Sequence, residues 1–514
     1  VPHISLLRCR DFEDQPRQPE RPIRNPIAHE WGASTADTAN KRLALTANLR
    51  EDQSTLTVST TTPEIHRLPR VLGLSTATAI VVGTIIGSGI FLVPQEMMRA
   101  VGTSPLVYLA WITGGLLTLF GAMTYAELAA MMPYAGGEYV YLRKAYGDLT
   151  AFLYMWTWFA VAKPASIASV TTGLARTLAI FPSLKWLETY ALHAPLPLLW
   201  SQIFAIAITW LVTGLNYIGV KKAGDFQLVF TWLKVVLVIV IAAACFYSPL
   251  GAAANFKTMF SGAEGGFAGF MVALIAALWA YDGWNDLNMV AEEVKCPERN
   301  LPIALVLGVL IVAVLYMSVN AAIQYVLPAN AVAAAPRPAV AAMALVSGHW
   351  GAILVTAGMA LSILVTLNGT IMSGARVPFA AAREGLFVEQ LGKINQRFQT
   401  PAISLLVQGG LSTLLLLLIG KFQQLFELAI FAEWLFYMIT TTTVFYFRIR
   451  EPETHRPFKM WGYPVLPALF IAASAVLLVY SYKSDLRSSL IGTAIILCGF
   501  PLYLLFRKKK AASA

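Results

Sequence analysis

Two short stretches inside otherwise apolar runs hold residues whose types and spacing suit chemistry. IVVGTIIGSGIFLVP (Ile80 to Pro94) sets Gly87, Ser88 and Gly89 near the middle of its run, and ALWAYDGWNDLNMV (Ala277 to Val290) sets Asp282, Gly283, Asn285 and Asp286 near the middle of another. Glycine weakens a helix, and a carboxylate inside an apolar run is costly unless it faces protein or water. For the first stretch alone, packing is an equal reading, because Gly83 and Gly87 form GxxxG and let a second helix approach. The second stretch shifts the balance toward binding. A helix interrupted at Gly87 to Gly89 frees N–H groups at the start of a half-helix, where a carboxylate docks without a basic side chain. Carbonyls released before each break, from Ile85 and from Trp279 to Asp282, can accept hydrogen bonds from an ammonium. A compact zwitterion meets both demands, and an α-amino acid is the simplest one.

The elements that must position these residues are membrane spans. The chain has 514 residues, is 57% hydrophobic and only 13% charged, with a mean hydropathy of +0.62, against about 45–50% apolar and about 25% charged for ordinary globular chains. That composition predicts an all-α integral membrane protein. A spanning helix needs roughly 20 apolar residues. About twelve such runs lie near 72–99, 105–132, 149–175, 199–219, 224–247, 267–291, 302–327, 350–381, 403–420, 425–447, 461–482 and 488–506. The interrupted runs are the first and the sixth. That spacing predicts an inverted repeat of five plus five helices with substrate at the midplane. Residues 68–247 then form the first repeat, 248–447 the second, and 448–514 two last helices with a basic end. Residues 1–67 are polar, unperiodic and without the apolar core of a signal peptide, and are expected to be a disordered cytoplasmic tail. The first methionine is Met97, which points to an upstream or alternative start or a misassigned N-terminus.

The net charge of +10 comes mostly from Lys and Arg in short loops, not from a basic domain, so nucleic acid is not an expected partner. With twelve spans, one side receives Arg143, Lys144, Lys221, Lys222, Arg383, Arg397, Arg448, Arg450 and the run Arg507 to Lys510, while the other has fewer positive residues in longer loops. The positive-inside rule makes the first side, with both termini, cytoplasmic; the expected location is the cell (inner) membrane. The four cysteines match neither a zinc spacing nor a secreted disulfide framework. His29-Glu30 lacks the second histidine of HExxH, no GxSxG is present, and no histidine falls in mid-span; a membrane-embedded enzyme is a distant alternative. Nothing repeats as a ring around a pore, as a channel requires. No cofactor or metal is expected.

GTIIGSGIF, YAELAAMMPYAGGEYVYLRKAYG (Tyr125 to Gly147), KPASIA (Lys163 to Ala168), FTWLKVV (Phe230 to Val236), WAYDGWNDLNMVAEEVKCPERNLP (Trp279 to Pro302) and SGARVPFAAAREG (Ser373 to Gly385) stand in this order. Together they resemble the L-type amino acid transporter family: the light-chain subunits of heteromeric amino acid transporters and their bacterial relatives, within the amino acid-polyamine-organocation superfamily. The resemblance covers roughly residues 70–480. It implies a LeuT-like fold with broken helices 1 and 6, and a sodium-independent exchanger of L-amino acids working by alternating access. By this resemblance Ser88, Gly89 and Ile90 match the carboxylate-binding break, and Trp279 the aromatic residue that closes over substrate. An acid at Asp282 resembles the subgroup that accepts dibasic amino acids and cystine, although relatives for neutral substrates share YDGW. Neutral substrates are therefore expected and cationic ones left open. Lys234 matches a lysine that stands where sodium binds in related carriers. The light chains bond a heavy subunit through a cysteine between spans 3 and 4; Arg176 to Leu198 contains none, so no covalent heavy-chain partner is expected. The candidate substrate-binding set is Ile85, Ile86, Gly87, Ser88, Gly89, Ile90, Trp279, Ala280, Asp282 and Asn285, with Lys234 as a coupling charge.

Other charges have two readings each. Lys163 beside Pro164 is read as structural before substrate-contacting, and Glu127, near the inner end of the second span, as paired with a helix-end or loop partner. Glu427 and Glu433 have no partner that the sequence names. Tyr139, Tyr141 and Tyr146 with Arg143 and Lys144 suit either an interfacial helix that closes the inner side or a plain surface anchor. The alternative to exchange is proton-coupled symport.

Overall fold

The computed structural model describes residues 67–192, 198–419, 422–484 and 486–513. The tail up to residue 66 and the Glu427 side chain lie outside the described residues. The helical body is Leu68–Ala514. Its helices, in chain order, are α1 (Leu74–Ile85), α2 (Gly89–Val101), α3 (Ser104–Met131), α4 (Glu138–Tyr146), α5 (Asp148–Thr157), α6 (Lys163–Leu178), α7 (Trp200–Tyr217), α8 (Val220–Phe246), α9 (Gly266–Ala280), α10 (Asp286–Met289), α11 (Pro297–Val326), α12 (Ala329–Ala334), α13 (Pro338–Gly374), α14 (Arg376–Arg383), α15 (Ala402–Leu418), α16 (Phe422–Arg450), α17 (Val465–Ser484) and α18 (Leu486–Ser513). Each expected apolar run contains helix. Among the described residues six helices are long and apolar enough to cross a membrane, seven if α1 and α2 form one span bent by 41°. Outward-facing side chains such as Leu211, Val229 and Val314 are more than half exposed, which suits lipid and not water.

The sequence reading needs some amendment. A two-stranded antiparallel ribbon, β1 (Tyr190–Leu192) with β2 (Leu198–Leu199), stands in the loop before α7. The eighth run is longer than expected: α13 begins at Pro338 and turns at Ser347 and Gly348, where Gly348 has φ +62°. The two glycines of the first GxxxG part company. A Cβ on Gly83 would lie 2.3 Å from Gln227 and 2.5 Å from Thr231 of α8, so Gly83 is a packing glycine, whereas one on Gly87 would meet only Thr366 Oγ1 at 3.5 Å.

Beneath the second break, buried ion pairs tie four chain segments together. Arg376 donates to Glu293 at 2.8 and 3.2 Å with both side chains fully buried. Arg383 holds Glu292 at 3.0 Å, and Glu292 also accepts from the N–H of Leu68 and of Ala135. Tyr139 donates to Glu384 at 2.9 Å. Tyr139 and Tyr141 are fully buried, so the surface-anchor reading of this stretch gives way: α4 packs into the body, with Lys144 and Tyr146 exposed. Glu127 takes a helix-end partner, Arg448 in the last turn of α16 at 2.6 Å, and a loop partner, the Met460 N–H at 2.8 Å.

Candidate substrate site

The first break spans Ile86 to Ser88, one residue earlier than the glycines suggest, and Gly89 already begins α2. The second runs from Tyr281 to Asn285, with Gly283 at φ +97°, a conformation that suits glycine. The breaks press against each other. A Cβ on Gly283 would lie 3.1 Å from the Thr84 backbone, and one on Gly89 3.1 Å from Ala280 Cα. Thr84 Oγ1 donates to Gly283 O at 2.8 Å. Tyr316 Oη on α11 bridges them, lying 3.1 Å from Ile85 O and 2.8 Å from Ala280 O.

The freed carbonyls are largely occupied by the protein's own donors, which changes the sequence picture. Lys234 Nζ, 1% exposed, donates to Gly83 O at 2.7 Å and to Ile86 O at 2.6 Å. Ser362 donates to Ile86 O at 2.6 Å and Thr366 to Gly83 O at 3.1 Å, both from α13. Gly87 N–H turns back to Ile85 O at 2.8 Å. What the first break leaves for a ligand is the start of α2, whose opening N–H groups have no carbonyl one turn earlier in the helix.

A cavity of about 110 Å³ lies at the junction, well above the ~10–15 Å³ that one water requires. Of the expected residues, Ile85, Gly87, Ser88, Gly89, Trp279, Ala280 and Asp282 line it. Ile86, Ile90 and Asn285 do not: both isoleucines are fully buried in the core. Asn285 is turned toward Glu138, to which its Nδ2 donates at 2.7 Å, while its Oδ1 accepts from Tyr437 at 3.0 Å. Sequence reasoning missed Ser166, Ser169, Thr366 and Thr370, read Lys163 as structural before substrate-contacting, and gave Asp286 and Glu433 no role; all seven line the cavity. Lys163 Nζ binds Asp286 Oδ1 at 2.6 Å and lies 4.8 Å from the Trp158 ring centroid. Tyr437 donates to Asp282 Oδ1 at 3.1 Å. A π-helical turn, Trp158–Ala162, precedes Lys163, and such a bulge re-aims the residues that follow it. A lysine before Pro164 was the available signal; its direction was not.

A helical body with two apposed helix breaks around a cavity that holds charged side chains suits a membrane permease, and the comparisons specify the class. The amino acid permease family model matches residues 72–500, and the chain belongs to that family, whose members are integral membrane transporters. It is similar to the cystine/glutamate transporter of Homo sapiens, with 31% identity over 442 residues, 86% of each chain. The serine/threonine exchanger SteT of Bacillus subtilis is 32% identical over 454 residues, covering 87% of this chain and 99% of its own. The b(0,+)-type amino acid transporter 1 of Rattus norvegicus is 31% identical over 462 residues, 89% and 91% of the two chains.

Proposed function

We propose that the protein is a sodium-independent transporter that exchanges L-amino acids by alternating access. One observation carries the reading: a single cavity bounded by two helix breaks, with a helix start for a carboxylate on one side and carboxylates for a cation on the other. The substrate carboxylate docks at Ser88 and Gly89, and Trp279 covers the side chain. Lys234 supports sodium independence, because its ammonium already holds the Gly83 and Ile86 carbonyls. The relatives, one of them named an exchanger, support exchange. This reading includes twelve spans in a LeuT-like inverted repeat (68–247 and 248–447), cytoplasmic termini in the inner membrane, and no covalent heavy subunit. Proton-coupled symport is the second reading, favoured by carboxyl groups Asp282 and Glu433 side by side in the cavity.

Radiolabelled uptake into liposomes by the purified chain tests this. Exchange predicts uptake that needs internal amino acid and proceeds equally in sodium and choline. Uptake into empty liposomes driven by an imposed pH gradient would establish symport instead.

A further inference from the structure

Four buried carboxylates are matched to a cation: Glu127, Glu292, Glu293 and Asp286 each lie 3.0 Å or less from an Arg or Lys. Glu138, the first residue of α4 and 0% exposed, is held by neutral donors instead. Tyr154 Oη of α5 donates to its Oε2 at 2.5 Å, and Asn285 Nδ2 of the second break donates to its Oε1 at 2.7 Å. A buried carboxylate without a cation in contact is costly as the anion, and a proton relieves it. Glu138 stands between the second and third expected spans, and burial pushes its carboxyl up to about 7; the hydrogen bonds from Tyr154 and Asn285 and the charge of Lys163 pull the other way. The titratable groups that face it are Tyr125 of α3, Tyr141 of α4, Tyr154 of α5, Lys163 of α6, Asp286 of α10 and Tyr437 of α16. Two more buried atoms, Tyr141 Oη one turn along α4 and Asn288 Oδ1 one turn past Asn285, have no hydrogen-bond partner among the described residues. Groups of that kind commonly bind water.

Glu138 also stands at a docking surface. The Gly136 N–H donates to Met289 O at 3.0 Å, and a Cβ on Gly137, at φ +48°, would lie 2.9 Å from the Asn288 carbonyl carbon. The start of α4 is thus docked backbone to backbone on α10, the continuation of the second break. A hydrogen-bonded chain runs on to the cavity: Asn285 Oδ1 accepts from Tyr437 at 3.0 Å, and Tyr437 reaches Asp282 Oδ1 at 3.1 Å in the cavity wall. Alternating access moves broken helices against their surroundings. If the second break withdraws from α4, Glu138 Oε1 loses its donor and the anion loses half of its support. Resting on the amino acid reading above, we propose that Glu138 is a proton-binding site of the transport cycle, ionised while the second break is docked on α4 and protonated on Oε1 when Asn285 leaves it. One O–H bond forms at Oε1 and one breaks in a hydronium ion of the adjoining water. Redocking returns the proton to the same water, so none crosses the membrane. Acid therefore favours the undocked form and base the docked one, by up to about tenfold per pH unit.

Infrared titration of the purified full chain across neutral pH reads the carboxyl group directly. The wild type should gain a carboxylic-acid C=O band on acidification that is missing from Glu138→Gln. Tyr154→Phe and Asn285→Ala each remove a donor to the ionised form, and each should raise the midpoint of that band by up to about one pH unit. In liposomes the leucine exchange rate should vary with pH in the wild type. It should hold the wild type's acid value at every pH in Glu138→Gln, and vary again in Glu138→Asp, which can still titrate. The same band in Glu138→Gln, a midpoint unmoved by both donor variants, or a wild-type pH profile in Glu138→Gln would each overturn the site. Failure of every amino acid to bind or enter would instead overturn the amino acid reading, while the infrared titration, which needs no substrate, still decides whether Glu138 takes the proton. If Glu138→Gln does not fold, the midpoints of Tyr154→Phe and Asn285→Ala remain the test.

Discussion

The two breaks open the helix at the same level and hold it open in opposite ways. The first, Ile86 to Ser88, has no charge of its own; its carbonyls are held by side chains from elsewhere, Lys234 of α8 and Ser362 and Thr366 of α13. The second, Tyr281 to Asn285, carries Asp282 within it and Asp286 just after it, and draws its neutralising cation, Lys163, from α6. A backbone receptor with a built-in cation can serve any amino acid. Charged side chains at the other break can distinguish among them. On the proposed reading, common recognition belongs to the first break and selectivity to the second, and each of the following substitutions strains that division.

The largest effect is expected at the second break's ion pair. Asp286→Asn leaves the Lys163 ammonium buried without its 2.6 Å partner. Breaking a buried pair by removing one side costs about 3–5 kcal/mol, so the variant should show a strongly lowered unfolding midpoint in detergent and little transport. A paired Lys163→Met, Asp286→Leu variant should regain most of the stability without the transport. An Asp286→Asn protein as stable as the wild type would mean that charge does not hold the second break.

Next comes the cation of the first break. In Lys234→Met, Gly83 O keeps Thr366 and Ile86 O keeps Ser362, so the loss is expected near about 1–3 kcal/mol in total. Exchange should fall by about tenfold or more for arginine and leucine alike, since common recognition is what suffers. A loss confined to one substrate class, read from uptake assays, would refute the division of labour. So would wild-type transport that requires sodium.

The glycines provide a smaller contrast. Gly283→Ala places a Cβ at φ +97° and 3.1 Å from the Thr84 backbone; the left-handed conformation alone costs about 1–2 kcal/mol. Gly87→Ala has room and should change stability by less than about 0.5 kcal/mol. Thermal unfolding of the two purified variants ranks them, and equal losses would mean that the breaks are equally constrained.

The breaks were legible in the sequence because each violates the rule for its surroundings: glycines, or carboxylates, amid apolar residues. Asp282 could be singled out for the same reason, and Trp279 only through the resemblance to the family. Ser362, Thr366 and Thr370 could not, because hydroxyls that also bond carbonyls one turn back, as Thr370 does to Thr366 O, are ordinary in a buried helix. Nor could the partners of Glu433 and Lys163. Lys163 meets Asp286 across 123 residues of sequence, and only the packing of α6 and α10 against one cavity brings them together. Asn285 illustrates the opposite error. It lies in the break by sequence, yet the tight turn at Gly283 rotates it toward Glu138.

Trp279 ends the last turn of α9, half-buried, and lines the cavity; a Cβ on Gly89 would lie 3.7 Å from its ring. The indole therefore bridges the start of α2, where the proposed reading docks the carboxylate, and the second break, to which it gives selectivity. As a cover it contacts whatever side chain the substrate presents. Trp279→Ala should then raise KM by about tenfold, or about 1.4 kcal/mol, for large apolar substrates such as leucine, and by less for serine, which reaches the indole with fewer atoms. The unfolding midpoint should fall by less than for a fully buried tryptophan, because one side of the ring faces the cavity while the rest packs on the core. Uptake kinetics with leucine, serine and arginine, measured beside thermal unfolding, separate the outcomes. A KM rise equal for all three would make Trp279 part of the common receptor, a lowered midpoint with unchanged KM would make it a packing residue, and either result would move the boundary between the two breaks.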